Sequence, residues 1–153
     1  MQVTLVILKP SAVQRGILGE IISRFEKKGI QIAGIKMMQL TDEILKAHYA
    51  HLTEKPFFSR IKNSMQASPV VVLALKGLDV VNVVRKLSGV TNGREAQPGT
   101  IRGDYSMSVQ ENIVHASDSP ETAEAELKRF FTEEEIFTYS LYLNPYLYAN
   151  DER

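Results

Sequence analysis

The run Val3-Thr4-Leu5-Val6-Ile7-Leu8-Lys9-Pro10 decides which folds remain open to this chain. A short apolar stretch rich in β-branched residues reads as a buried strand, and Lys9-Pro10 ends it. No glycine-rich loop follows, which counts against a dinucleotide-binding sheet. Downstream, Ile17, Leu18, Ile21, Ile22 and Phe25 recur on one helical face, and Gly29 stops that helix after Lys27 and Lys28. Ile30 to Met38 reads as a second strand. Thr41 caps a helix bearing Ile44, Leu45 and His48, and Pro56 opens another with Phe57, Ile61 and Met65. Val70 to Leu75 is the third strand, and Asp79 stands as the cap of a helix that Gly89 ends. Periodicity then vanishes from Thr91 to Asp104, a loop long enough to be functional. Asn112 to His115 reads as a short last strand, followed by a helix from Ser119-Pro120 to about Phe131.

The order β-α-β-α-α-β-α-β-α predicts an α/β (α+β) sandwich of ferredoxin-like topology, a four-stranded antiparallel sheet covered by helices. A parallel, doubly wound sheet fits the same pattern nearly as well. The 153 residues make one domain, with a C-terminal extension over 132–153. That extension carries Tyr139, Tyr142, Tyr146 and Tyr148, and is expected to pack on the body or on a neighbouring subunit.

Lysine plus arginine equals aspartate plus glutamate at 18 each, a balance that argues against tracking nucleic acid or coating an anionic membrane. Cysteine is absent, which excludes disulfides, thiolate catalysis and cysteine-based metal sites. The first apolar run is too short to span a bilayer and lacks signal-peptide features, so a cytoplasmic location is expected.

Three histidines are present. His48 and His51 are spaced to allow a metal pair, but no acidic third ligand follows at zinc spacing, so no metal site is expected among the side chains. His115 ends an apolar segment ahead of the Asp118-Ser119 helix start. By position alone it is either a packing residue or a reactive group. Glu126 shares helical spacing with Ala123, Leu127 and Phe130, on the face that should meet the core. A carboxylate there needs a partner, and His115 is the candidate. A helix register off by one residue would instead put Glu126 in water. Lys9, Arg85, Arg94 and Arg102 add positive charge near loops, which suits phosphate oxygens. Together with a histidine they point to phosphoryl transfer.

The run Asn112-Ile113-Val114-His115-Ala116-Ser117-Asp118-Ser119 resembles the active-site signature of nucleoside diphosphate kinases, N-x-x-H-G-S-D. Lys9-Pro10, Gln14-Arg15-Gly16, His48-Tyr49, Pro56-Phe57-Phe58, Gly89 to Asn92 and Pro98 to Asp104 (P-G-T-I-R-G-D) match the same family in order. The resemblance implies a ping-pong kinase that moves the γ-phosphate of a nucleoside triphosphate to a nucleoside diphosphate, with Mg²⁺ carried by the nucleotide and with broad base specificity. It implies His115 as the phosphorylated nucleophile, oriented by Glu126 and flanked by Tyr49. Lys9 would contact the sugar hydroxyls and terminal phosphate, and Arg85, Thr91 and Arg102 the phosphate oxygens. Asn112 would reach the ribose, Phe57 and Val109 would sandwich the base beside Ile61, and His48 and Lys55 would lie near the phosphates.

Departures from the family pattern are Ser11-Ala12 for Asp-Gly or Asp-Ala, Ala116 for glycine, Lys55 for arginine and Gly93 for proline. Alanine at 116 would be strained if that position needs positive φ. Glycine at 93 is expected to loosen its loop relative to proline. The family forms hexamers and tetramers, and the length of the tail favours the hexamer. Two other readings stay in view. One is a non-catalytic nucleotide-binding or structural protein on the same fold, opposed by Lys9, His115 and Glu126 occurring together. The other is an RNA-binding module, opposed by neutral charge and by the lack of alternating basic and aromatic residues on a central strand.

Overall fold

The computed structural model describes residues 1–153. Its strands are β1 (Gln2–Leu8), β2 (Gln31–Met38), β3 (Val70–Gly77) and β4 (Val114–Ala116). Its helices are α1 (Pro10–Gln14), α2 (Leu18–Lys27), α3 (Asp42–His48), α4 (Phe58–Gln66), α5 (Val80–Ser88), α6 (Ile101–Tyr105), α7 (Pro120–Phe130) and α8 (Asn144–Leu147). The strands form one sheet in the order β2-β3-β1-β4. Every neighbouring pair is antiparallel, with Leu5 opposite Ala74, Ile7 opposite His115 and Lys36 opposite Val72. The parallel, doubly wound alternative is thereby overturned, and the ferredoxin-like order stands.

The apolar runs of β1 and β3 do not alternate with polar residues because both faces of the sheet are covered. Successive side chains point to opposite faces. Val6 and Leu8 pack with Ala12, Ile21, Phe25, Val84 and Ile101 on one side. Leu5 and Ile7 pack with Leu45, Met65, Phe130 and Phe131 on the other. β1 is therefore central, and the turn leaving it, Lys9, emerges where both layers end.

Local chemistry explains most helix starts. Thr41 accepts the Ile44 amide at 3.2 Å, and Ser119 accepts the Thr122 amide at 3.1 Å with Pro120 in the first turn. Asp79 departs from expectation. It stands in the left-handed region at φ 48° and caps nothing with its side chain, whose carboxylate instead accepts from Asn82 Nδ2 at 2.7 Å. Three helices were not expected, one of them the single turn α8 in the tail. Pro10 begins α1 where it was read only as ending β1, because proline is well suited to a first helical turn. α6 lies within the aperiodic loop, started by Thr100, which accepts the Gly103 amide at 3.0 Å.

The tail runs along the outer edge of β2. Ala33, unpaired at an irregularity between Ile32 and Gly34, offers its carbonyl to the Phe137 amide at 2.8 Å. Gln31 Nε2 donates to the Tyr139 carbonyl at 2.8 Å, and the Tyr139 hydroxyl donates to the Ile32 carbonyl at 2.5 Å. Lys36 and Glu135 add an ion pair at 2.7 Å. The side chains of Phe137, Tyr142 and Tyr146 remain outside these contacts, the three residues being 64%, 99% and 90% exposed.

Candidate active site

Two clefts open beside the C-terminal end of β1. The larger, about 1000 Å³, is lined by Lys9, His48, Tyr49, Arg85, Thr91, Arg102, Asn112, His115, Glu126 and Arg129, among others. The smaller, about 260 Å³, is lined by Phe57, Ile61, Val109 and neighbours. Lys9, Tyr49, Thr91 and Asn112 belong to both walls, so the two chambers meet there. One chamber is cationic and the other largely apolar, the division a nucleotide's phosphates and base require.

His115 sits on β4, opposite Ile7. The backbone before it is bent sharply. The Val114 amide bonds the Asn112 carbonyl at 2.8 Å across Ile113, whose φ is 75°. That is a γ-turn centred on a β-branched residue, a strained conformation. It persists because Ile113 is fully buried and its carbonyl accepts the Lys9 amide at 2.9 Å. Ala116, in contrast, has no positive φ and pairs with Val6 in regular strand, so alanine in place of the signature glycine is unstrained.

α7 brings Glu126 beneath the histidine. Glu126 Oε2 lies 2.5 Å from His115 Nε2, and the helix register that would put Glu126 in water is ruled out. The Glu126 side chain is 4% exposed and that of His115 24%, so the pair is covered on the carboxylate side and open on the imidazole side. Burial opposes ionisation of Glu126. The hydrogen bond and charge of His115, with help from His48 and Ser117, nevertheless hold its carboxyl below the ordinary carboxylate value. Nε2 of His115 is engaged, and no protein group bonds Nδ1, which is left with its lone pair for chemistry.

Around this pair the remaining groups are fixed by one another. Lys9 Nζ donates to Asn112 Oδ1 at 2.6 Å and to the Gln110 carbonyl at 3.3 Å. Asn112 Nδ2 in turn donates to the Thr91 carbonyl at 3.0 Å. Burial, with Arg102 nearby, pushes the Lys9 ammonium down to about 8, which marks a cation short of an anionic partner. Arg102 donates to the carbonyls of Gly89 (2.7 Å), Val114 (2.7 Å) and Asn112 (3.3 Å). It thus ties the ends of α5 and β4 together while keeping two of its five N–H groups spare. Burial and Arg85 push it down to about 10. Tyr49 packs edge-on to His48 at 4.7 Å, and burial together with Glu126 raises its phenol to about 12.

Not every expected residue converges. Lys55 is exposed and lines neither cleft, because it sits in the turn between the 3-10 segment Ala50–Leu52 and α4. Arg94 points away and donates to the Met107 carbonyl at 2.7 Å. His48 pairs with His115 and Glu126 rather than with His51, and these three lie within 4.8 Å of one another. They suit Mg²⁺ poorly, since two are nitrogen donors and the third atom is already shared between the rings. Gly93 reverses its expectation. Its amide donates to the Ser108 carbonyl at 3.1 Å, and a Cβ there would collide with the Ser106 backbone oxygen. Proline would lose that bond and clash, so glycine tightens this loop instead of loosening it. Arg129 lines the larger cleft and was not anticipated.

This histidine–carboxylate pair beside a nucleotide-shaped cleft agrees with direct comparison. Residues 2–136 match the nucleoside diphosphate kinase family. The chain belongs to that family. A nucleoside diphosphate kinase from Parabacteroides distasonis is 68% identical over 99% of both chains. One from Rhodopirellula baltica is 51% identical over 99% of this chain and all of its own. A solved nucleoside diphosphate kinase of Halobacterium salinarum, in complex with CDP, superposes with a TM-score of 0.94 at 35% identity, covering 97% of this chain and 99% of that one. The chain is therefore a nucleotide-binding phosphotransferase. No helix in it is long and apolar enough to cross a membrane.

Proposed function

We propose that this kinase carries the phosphoryl group on Nδ1 of His115. The observation that supports this best is the 2.5 Å contact between Nε2 and the buried Glu126, which leaves Nδ1 the nitrogen open to the cleft. In the first half reaction the Nδ1 lone pair attacks the γ-phosphorus in line, and the bond to the β,γ-bridging oxygen breaks. The diphosphate departs with that electron pair. The positive charge placed on the imidazole is held by Glu126 through the Nε2–H. In the second half a terminal oxygen of the acceptor diphosphate attacks the same phosphorus, and Nδ1 recovers its pair.

Arg102, Arg85, Thr91 and Lys9 are assigned to the phosphate oxygens, where fixed donors offset charge on the transferring group. Mg²⁺ carried on the nucleotide would neutralise part of its phosphate charge. Asn112 and Lys9 are assigned to the sugar hydroxyls. Phe57 and Val109, with Ile61, are assigned to the base. Two of the polar side chains in that chamber are already used, Gln110 Nε2 by the Arg60 carbonyl at 3.2 Å and the Ser64 hydroxyl by Glu111 at 2.5 Å. Stacking alone discriminates weakly among bases, which supports broad specificity. A cytoplasmic site of action accords with the absence of cysteine.

Glu126→Gln is the direct test of this reading. Glutamine keeps the shape and a hydrogen bond but removes the charge beneath the imidazole. Single-turnover phosphorylation is expected to slow by roughly 10-fold or more, the scale of losing a carboxylate that supports a reactive imidazole. An unchanged rate and pH profile would remove Glu126 from the mechanism.

The assembly is proposed to be a hexamer. Phe137, Tyr142, Leu143 and Tyr146 of the tail and Ile35 and Met37 on β2 are exposed large apolar side chains, the kind of surface that subunit contacts cover, which supports this reading. Sedimentation equilibrium is expected to give the mass of six chains. A mass of four chains at every concentration would contradict it.

A further inference from the structure

Glu126 faces two imidazoles through a single oxygen. Oε2 lies 2.5 Å from His115 Nε2 and 3.2 Å from His48 Nδ1. The rings of His48 and His115 meet edge-on at 4.6 Å, and His48 is closed off on its other sides by Tyr49 and Phe130. Its side chain is 3% exposed. A neutral imidazole carries one N–H. Were that proton on Nδ1 of His48, it would donate to the Glu126 carboxylate and compete with His115 for it.

One more group decides the matter. Arg129 lies one turn beyond Glu126 on α7, and its guanidinium approaches His48 Nδ1 at 3.0 Å. Arginine only donates. Nδ1 must therefore accept, and the single proton of the neutral ring belongs on Nε2. Burial, followed by the charge of His115, pushes His48 down to about 3, which favours the neutral ring.

We propose that Arg129 is a positioning residue for phosphoryl transfer: by occupying Nδ1 of His48 it fixes that ring as the Nε2–H tautomer and reserves the Glu126 carboxylate for His115. The inference rests on the reading of His115 as the nucleophile. Without Arg129, His48 loses its Nε2 proton and gains one at Nδ1 by exchange with solvent, and the new N–H makes a charge-assisted bond to Oε2. His115 then shares its support. Helix periodicity placed Glu126 on the core face, but nothing local marks Arg129, because its partner lies 81 residues away.

The test combines a spectrum with a double substitution. In ¹⁵N–¹H correlation spectra of the histidine rings, His48 of the parent enzyme is expected to carry its proton on Nε2, and in Arg129→Met on Nδ1. In single-turnover phosphorylation by ATP, Arg129→Met is expected to lower the maximal rate about fivefold, the scale of one redistributed hydrogen bond, with little change in the ATP concentration giving half that rate. In a His48→Phe background, where no competing ring remains, Arg129→Met should change the rate no further. A parent His48 protonated on Nδ1 would overturn the proposal. So would an equal loss in both backgrounds, or a loss confined to ATP affinity, since either would mean that Arg129 acts on the nucleotide directly. The ring spectrum is read without nucleotide, so the tautomer stands or falls apart from the identity of the nucleophile.

Discussion

His115→Ala is expected to abolish both half reactions while diphosphate binding persists. The imidazole supplies the lone pair that forms the covalent intermediate, and no neighbour can replace it. His48 is buried, with its Nδ1 engaged by Arg129, and His51 sits exposed on the 3-10 segment Ala50–Leu52. The groups assigned to the nucleotide do not depend on His115 for their positions. Lys9 is held by Asn112 and Gln110, and Arg102 by three carbonyls. The substitution leaves Glu126 without its hydrogen-bond donor, which costs about 1–3 kcal/mol for a buried polar group, less whatever the carboxyl recovers by taking up a proton. The variant should therefore fold, bind diphosphate in calorimetry and show no transfer. Substantial turnover would end the assignment of the nucleophile.

Arg102→Ala is expected to slow phosphoryl transfer by roughly 10²-fold or more, the usual scale for losing one preorganised donor to developing charge. The structure adds a second consequence. The same guanidinium bonds the carbonyls of Gly89, Asn112 and Val114, so its loss also loosens the wall that presents His115, and thermal stability should fall together with the rate. Arg94→Ala is the control, since Arg94 is exposed and holds only the Met107 carbonyl. Single-turnover rates and melting curves of both variants decide it. Equal losses of rate would show the loop arginines to be wrongly assigned.

The legible parts of this fold are those governed by local rules. β1 and β3 announce themselves as apolar runs, and the caps at Thr41 and Ser119 form as their residue types require. Strand direction was not legible, because the same alternation of strands and helices threads either a parallel or an antiparallel sheet. Only the pairing of Leu5 with Ala74 and of Ile7 with His115 separates the two. α1, α6 and α8 were hidden, the first because proline both ends strands and begins helices, the other two because one turn is too short to show a period. Asp79 has the residue type of a cap, yet its left-handed backbone turns the side chain elsewhere.

In the site, His115 and Glu126 were legible as a pair whose meeting depended on one helix register. Lys9 and Arg102 were legible as cations near loops and Asn112 through the family signature, but the bond between Lys9 and Asn112 joins residues 103 positions apart. Gly93 misled because its role depends on Ser106 and Ser108, which fold back against it. Lys55 was legible only as a motif position, which carries no information about where a long, exposed side chain points.

The most direct measurement incubates the enzyme with ATP labelled in the γ-phosphate, isolates the protein and maps the bound label. The account predicts acid-labile phosphate on His115, formed without acceptor and discharged completely by any nucleoside diphosphate. Absence of label from the protein, or label on another residue that the acceptor does not remove, would contradict it.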